Sequence, residues 1–383
     1  MSHLSSNLKQ SKLVPVLLLV FLILALLIIG LSYQAFSSNQ KPKSPLSQKD
    51  LQAKLAQQEL ESEIIPLSHS QKVGQLLITT PEETKLSQQE IGWLNKGQVS
   101  GFLLLKQNIQ NQEQVKQLTQ EIYQAATPSG VLPLIMVDQE GGMVSRIPGV
   151  EDTAQADILS PAQAENIGQS RGQQLKDLGI LINLSPVVES STDSQAFINK
   201  QKRAFTSQAP QLAQGMIKGY KQAKVLAVAK HFPGGLAQTP TDPHQVLPII
   251  NSDQETLIED TQNFKLLIDG GVEAIMVTHL LYPQIDAQPT SKSSFFLKTL
   301  LRDNLGFQGL IVIDDLSMRA ISNNYEVADY SQEALLAGAD LLLISNLTDF
   351  EKTHQKLLDT SWPAQALDQK VAKILKAKNG LNE

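Results

Sequence analysis

Residues 310–316 read Leu-Ile-Val-Ile-Asp-Asp-Leu, four apolar residues followed at once by a pair of carboxylates. A near-continuous apolar run is what a strand buried on both faces requires. The same pattern recurs in QLLIT (75–79), GFLLL (101–105), PLIMVD (133–138), INLSPVVE (182–189), VLAVAKHF (225–232), AIMVTHL (274–280) and ADLLLIS (339–345). Amphipathic segments lie between the runs, among them 111–125, 161–178 and 297–305. Strand and helix alternating eight times point to an α/β fold, a closed (β/α)8 barrel of the TIM type spanning residues 72–383. A doubly wound open sheet is the rival arrangement.

In a barrel of this kind the carboxyl ends of the strands form the working face. The third run ends in Asp138-Gln139-Glu140-Gly141-Gly142, the fourth in Glu189, the fifth in Lys230-His231, the sixth in His279 and the seventh in Asp314-Asp315. Solvation at a loop explains any one polar strand end. Five converging ends call for a site.

Ahead of the barrel, Leu13 to Leu31 is a 19-residue stretch without a charge. As a helix it spans about 28 Å, close to the hydrocarbon core of a bilayer. The expected organisation is a cytoplasmic tail (1–12), a transmembrane anchor (13–36) and a linker (37–71) whose SSNQKPKSPLSQKD segment is polar and holds two prolines. A cleaved signal peptide is the alternative, although its apolar core is ordinarily shorter and SYQAFSS is a weak cleavage site. Lys9 and Lys12 precede the span and Lys41, Lys43 and Lys49 follow it, so lysine placement does not decide orientation.

Composition removes several function classes. With 32 Lys and Arg against 38 Asp and Glu, the net charge of -6 argues against a nucleic-acid partner. The absence of cysteine excludes disulfides, thiolate metal sites and a cysteine nucleophile. Six scattered histidines form no metal-binding motif, and Gly141-Gly142 lacks the spacing of a dinucleotide fingerprint, so no metal and no cofactor are expected.

VDQEGGMVSR (137–146), KRAF (202–205), KHFPGGLAQTPTDPH (230–244), MVTHLLYP (276–283) and GFQGLIVIDDLSM (306–318) together resemble glycoside hydrolase family 3, specifically its single-barrel β-N-acetylglucosaminidases of the NagZ type. The resemblance covers essentially all of residues 72–383. It implies a retaining enzyme in which Asp314 is the nucleophile, forming a covalent glycosyl intermediate. It makes His244, held by Asp242, the general acid and base on the loop after strand five; an imidazole can both give and take a proton near neutral pH. Asp138, Arg146, Arg203, Lys230 and His231 match the positions that hold the terminal sugar through its hydroxyls, and His279, which matches the strand-six histidine, is expected to line the sugar site with them. Each residue has a plainer reading: a helix N-cap for Asp314, better filled by Asp315; a turn for Asp242-Pro243-His244; an ion pair for Asp138; a hydrogen-bonded core position for His279.

The catalytic loop departs from the family pattern KHFPGHGDTxxDSH. It is one residue longer and lacks the second histidine, the GDT triplet and the serine before His244, while Pro240 and Pro243 are added. Glu189 stands where an aspartate is common, Ile313 where a serine is frequent, and Met143 where an arginine is common. The expected substrate is an N-acetylglucosamine-containing glycan or muropeptide, cut at a terminal β-linked residue on the outer side of the cytoplasmic membrane. The alternatives are a phosphorylase and an anchored glycan-binding barrel with weakened catalysis. Alkaline phosphatase fused after Glu383 should be active and a fluorescent protein at the same place dark; the reverse pattern places the barrel inside.

Overall fold

The computed structural model describes residue 64 and residues 66–190, 193–363 and 365–382. The anchor expected at 13–36, the tail at 1–12 and most of the linker lie outside these residues. Among the described residues, no helix is long and apolar enough to cross a membrane.

Eight parallel strands close on themselves in chain order: β1 (Leu77–Thr79), β2 (Gly101–Leu104), β3 (Leu134–Val137), β4 (Ile182–Asn183), β5 (Leu226–Phe232), β6 (Ala274–Val277), β7 (Leu310–Ile313) and β8 (Leu341–Leu343). The pairing of β1 with β8, Leu77 opposite Leu342, closes the barrel and excludes the open sheet. Every strand residue is buried, as strands with a packed interior inside and helices outside require. The anticipated helices form at Gln112–Ala126, with the Asn111 side chain accepting from the Gln114 amide, and at Pro161–Asp177, capped the same way by Ser160. The third, Phe295–Asn304, is wound as a π-helix.

Two local readings are corrected. The run 182–189 supplies only a two-residue strand, because Pro186 has no amide to give a ladder, and only Val187 bridges back to Lys230. The body also begins ahead of residue 72. Ile64 is buried in the core, Leu67 packs against it, and a helix at His69–Gly74 is closed by a capping box between Ser68 and Gln71. These residues belong by packing to the barrel rather than to a solvated linker.

The helix pair Pro161–Asp177 and Ala209–Gln222 packs at backbone distance. A Cβ on Gly168 would stand 2.3 Å from the Met216 carbonyl oxygen, and one on Gly219 2.1 Å from that of Glu165. Only glycine permits this approach, and it holds the outer layer against β4 and β5, which carry half of the site described below.

At the amino-terminal end of the barrel the last helix, Ala366–Asn382, inserts Lys378. Its side chain is buried, with Nζ donating to Gln75 Oε1 at 2.5 Å and to the Ser100 carbonyl at 3.2 Å. Burial pushes the ammonium down to about 7 from an ordinary 10.5. Between those values the unfolded chain binds the proton that the folded chain has released, so this group makes stability rise with pH across the window. Denaturant midpoints of wild type should therefore climb from pH 7 to pH 10 relative to Lys378→Met, in which this contribution to the slope is gone; parallel profiles would refute the assignment.

Candidate active site

A cavity of about 240 Å³ opens at the carboxyl ends of the strands, lined by Asp138, Glu140, Arg146, Arg203, Lys230, His231, His244 and Asp314, with Met143, Val144, Phe197, Gln201, Leu236 and Pro243 completing its walls. Seven of the nine site residues expected from sequence line it, and Asp242 and His279 stand behind residues that do. A roomier groove of about 530 Å³ lies at the opposite end of the barrel. Its Lys218 and Lys221 pair with surface carboxylates of Glu165 and Glu273.

The floor is a network of charges. Lys230, in β5, places Nζ 2.6 Å from Asp138 Oδ1 and 2.6 Å from Glu140 Oε1. Glu140 also takes a forked pair from Arg203, Nε to Oε2 at 2.7 Å and Nη2 to Oε1 at 2.8 Å. Burial works to raise the Glu140 carboxyl, but Arg203 and Lys230 overcome it and hold the group well below the usual carboxylate range. Arg203 Nη2 also donates to His231 Nε2 at 3.2 Å. Because a guanidinium only donates, Nε2 is the acceptor of this ring and Nδ1 carries the hydrogen toward Glu189 Oε2, 3.0 Å away. Glu189 Oε1 in turn accepts from the Leu236 amide, tying the loop after β5 to the end of β4.

Asp138 thus makes the ion pair of its plainer reading and lines the cavity as well. Arg146 lines it without an ion pair, and its buried Nε has no hydrogen-bond partner among the described residues. Glu140 ends the third run in Asp138-Gln139-Glu140 but is not among the site residues expected from the sequence. Nothing in sequence separates a carboxylate that organises two cations from one solvated at a loop.

Asp314 follows β7 and is fixed at both oxygens. Thr278 Oγ1 donates to Oδ2 at 2.8 Å, and the Asp315 amide donates to Oδ1 at 2.9 Å. Burial favours the neutral acid, but His279, His231 and His244, which carry charge at the acid pH where this carboxyl titrates, and the Thr278 hydroxyl together bring the group down to about 2, so it is ionised at any ordinary pH. Asp315 takes the supporting role: its Oδ1 accepts from the Ser317 and Ser345 amides, both at 2.9 Å. The helix that follows, Arg319–Ser322, is preceded by Met318, so neither aspartate is its N-cap.

His279 is corrected from a sugar-binding position to a core one. It is fully buried and absent from the cavity wall. Nε2 lies 3.1 Å from the Asp315 carbonyl, which can only accept, so Nε2 bears the hydrogen and Nδ1 receives the Ser291 hydroxyl at 2.7 Å. Ser291 Oγ is in turn 2.6 Å from the Tyr330 hydroxyl. Burial lowers the pKa of this ring, and it serves as a neutral strut behind the Asp314–Asp315 corner.

His244 stands at the rim, 60% exposed, its Nδ1 2.7 Å from Asp242 Oδ1. The same oxygen accepts the His244 amide at 2.9 Å, and the Asp242 carbonyl accepts from the amides of Gln245 and Val246. The turn and the Asp–His pair are therefore one structure: the aspartate starts the turn and, through it, aims the imidazole. With Nδ1–H given to the carboxylate, Nε2 is the atom left to exchange a proton. No group of His, Cys, Asp and Glu among the described residues could hold a metal ion.

A family model described as "Glycosyl hydrolase family 3 N terminal domain" matches residues 68–377. The chain is 31% identical over 310 residues to a β-hexosaminidase of Methylobacillus flagellatus, covering 78% of this chain and 86% of that one. It is 35% identical over 278 residues to a β-hexosaminidase of Pasteurella multocida, covering 68% and 77%. Among solved structures, a glycoside hydrolase family 3 β-N-acetylglucosaminidase from Paenibacillus sp. str. FPU-7 superposes with a TM-score of 0.77 at 29% identity, covering 82% of this chain but 63% of that longer protein. NagZ from Neisseria gonorrhoeae, solved with N-trifluoroacetyl-D-glucosamine, gives a TM-score of 0.66 at 28% identity, covering 78% and 89%.

Removing the central anion should expose its role. Glu140→Gln leaves Arg203 and Lys230 buried with one carboxylate between them, and should lower stability near neutral pH by about 3–5 kcal/mol. Since the folded-state pKa of Glu140 is depressed, its stabilisation is present above about pH 4.5 and lost as pH falls below that value. Wild type should then lose stability on acidification more steeply than the variant; equal slopes in acid titrations of the unfolding midpoint would show that the charge on Glu140 is not what holds the floor.

Proposed function

The chain belongs to glycosyl hydrolase family 3 and is a glycoside hydrolase, and we propose that it is a retaining exo-β-N-acetylglucosaminidase working through a covalent intermediate on Asp314. The observation that carries the reading is an ionised carboxylate, bonded at both oxygens, sharing a cavity with an exposed imidazole that a second carboxylate aims. In the first half-reaction an Asp314 oxygen bonds to the anomeric carbon while the bond to the leaving oxygen breaks, and His244 gives that oxygen a proton. In the second, His244 takes a proton from water as it adds to the anomeric carbon, and the electron pair of the ester bond returns to Asp314. The Asp138–Lys230–Glu140–Arg203 floor offers both donors and acceptors at fixed positions, which suits the hydroxyls of one sugar.

Cavity size supports exo action. About 240 Å³ is at or below the low end of the roughly 300–1,000 Å³ usual for small-molecule sites, which accords with a single terminal residue. The names of the curated relatives, β-hexosaminidases, support a hexosamine as that residue. The uncharged stretch from Leu13 to Leu31 supports anchorage in the cytoplasmic membrane; an outward-facing barrel follows only from the substrate proposed here, since terminal N-acetylglucosamine would come from cell-wall fragments.

Hydrolysis of aryl N-acetyl-β-glucosaminides by the full chain tests this. Asp314→Asn should lose at least about a thousandfold in kcat/KM. His244→Ala should lose about 10²- to 10⁴-fold with a poor leaving group and far less with 2,4-dinitrophenolate, which departs without a proton. Retained turnover in Asp314→Asn, or a His244→Ala loss independent of the leaving group, would assign the chemistry elsewhere. Sugar 1-phosphate in place of free sugar on adding phosphate would make the enzyme a phosphorylase.

A further inference from the structure

We propose that Thr278 is a positioning residue of the reaction, whose hydroxyl holds Asp314 Oδ2 and eases the return of negative charge to that carboxylate when the glycosyl–enzyme breaks down. The proposal rests on the reading of Asp314 as nucleophile. Thr278 follows β6 and is fully buried, and its backbone is held on both sides: the amide donates to the Phe232 carbonyl at 3.2 Å, and the carbonyl accepts the Thr290 hydroxyl at 2.5 Å. With the Cα fixed, the reach of the side chain is fixed too. A threonine hydroxyl has one hydrogen, and its acceptor here is Asp314 Oδ2 at 2.8 Å.

The effect follows from charge. A donor bonds more strongly to an ionised carboxylate than to the neutral ester that replaces it. Thr278 and the Asp315 amide therefore stabilise Asp314 before the ester forms and after it breaks, relative to the ester itself. When water adds to the anomeric carbon and its proton passes to His244, the carbon–oxygen bond to Asp314 breaks with its electron pair, and the departing carboxylate finds both donors in place. Thr278 makes Asp314 a better leaving group, at some cost to its strength as a nucleophile. The neighbouring His279 cannot substitute, because its two ring nitrogens are engaged by Ser291 and the Asp315 carbonyl.

The test uses the full chain with 2,4-dinitrophenyl N-acetyl-β-glucosaminide, whose fast first step leaves ester breakdown rate-limiting. Wild type, Thr278→Val and Thr278→Ser are compared by steady-state kinetics and by rapid quench with mass spectrometry of the Asp314 peptide. In Thr278→Val, kcat should fall about tenfold, the scale of one hydrogen bond to a charged group. KM should fall with it so that kcat/KM is held within about twofold, and the adduct on Asp314 should accumulate; Thr278→Ser should restore all three. Thr278→Ala carries the same expectation if the valine variant does not fold. An unchanged kcat, a kcat/KM that drops as far as kcat, or failure of serine to restore either would overturn the proposal while an adduct on Asp314 leaves the parent reading standing. No adduct in wild type, with turnover surviving in Asp314→Asn, would sink the parent reading and this one with it.

Discussion

The working face of this barrel is organised around one buried carboxylate. Glu140 receives Arg203 and Lys230 together, and both cations lie at positions where water cannot neutralise them. Taking three charged groups out of water is costly, and hydrophobic residues of similar volume could fill the space as stably. What the network supplies is direction. Lys230 is pinned between two anions and Arg203 is locked in a forked geometry with its outer edge against His231, which passes the constraint on to Glu189. The ends of β3, β4 and β5 are thereby fixed to one another before any ligand arrives, as a preorganised site requires.

The barrel itself was legible because strands buried on both faces carry no polar alternation; each of the eight runs announces itself as a block of apolar residues. The site was legible where chemistry and position coincide, as at Asp314, Lys230 and His231, which end their strands. It was illegible where the role depends on a distance. Glu140 stands two residues from Asp138 in an acidic, glycine-rich turn, and Thr278 is one hydroxyl in an apolar run; only Arg203, 63 residues from Glu140, and Asp314, 36 residues from Thr278, reveal what they do. His279 erred in the other direction. Histidine at a strand end suggests a ligand, yet both of its nitrogens are spent inside the fold. Ile64 and Leu67 were misplaced because a few apolar residues among polar ones look alike whether they cap a core or punctuate a linker.

The two halves of the proposed chemistry are held to different standards of rigidity. Asp314 sits on a corner braced from behind by His279, Ser291 and Tyr330 and from the side by Asp315 and Ser345. His244 rides an exposed turn held at its two feet by backbone bonds, the Phe197 amide to the Thr239 carbonyl at 2.8 Å and the Leu281 amide to the Pro248 carbonyl at 2.9 Å, and near its tip by a side-chain bond from Arg319 to Gln245 at 2.9 Å. The difference suits the tasks. A nucleophile attacks one carbon along one line, so any freedom in Asp314 lowers the fraction of productive encounters. The acid and base serves two different oxygens, that of the leaving group and later that of water, and a residue on a turn can meet both.

This division also separates the sources of selectivity. In the proposed reaction the groups that would choose the sugar lie in the braced floor, where a change in Asp138, Lys230 or Glu140 propagates through shared charges and is felt as stability as much as affinity. Those that would meet the leaving portion lie on the rim with His244, where Met143 is exposed and Pro243 precedes the imidazole. Pro240 and Pro243 fix φ at two points of that segment, narrowing the conformations open to the turn. Substitution on the rim can therefore retune which leaving groups are accepted while the floor, and with it the sugar, stays the same.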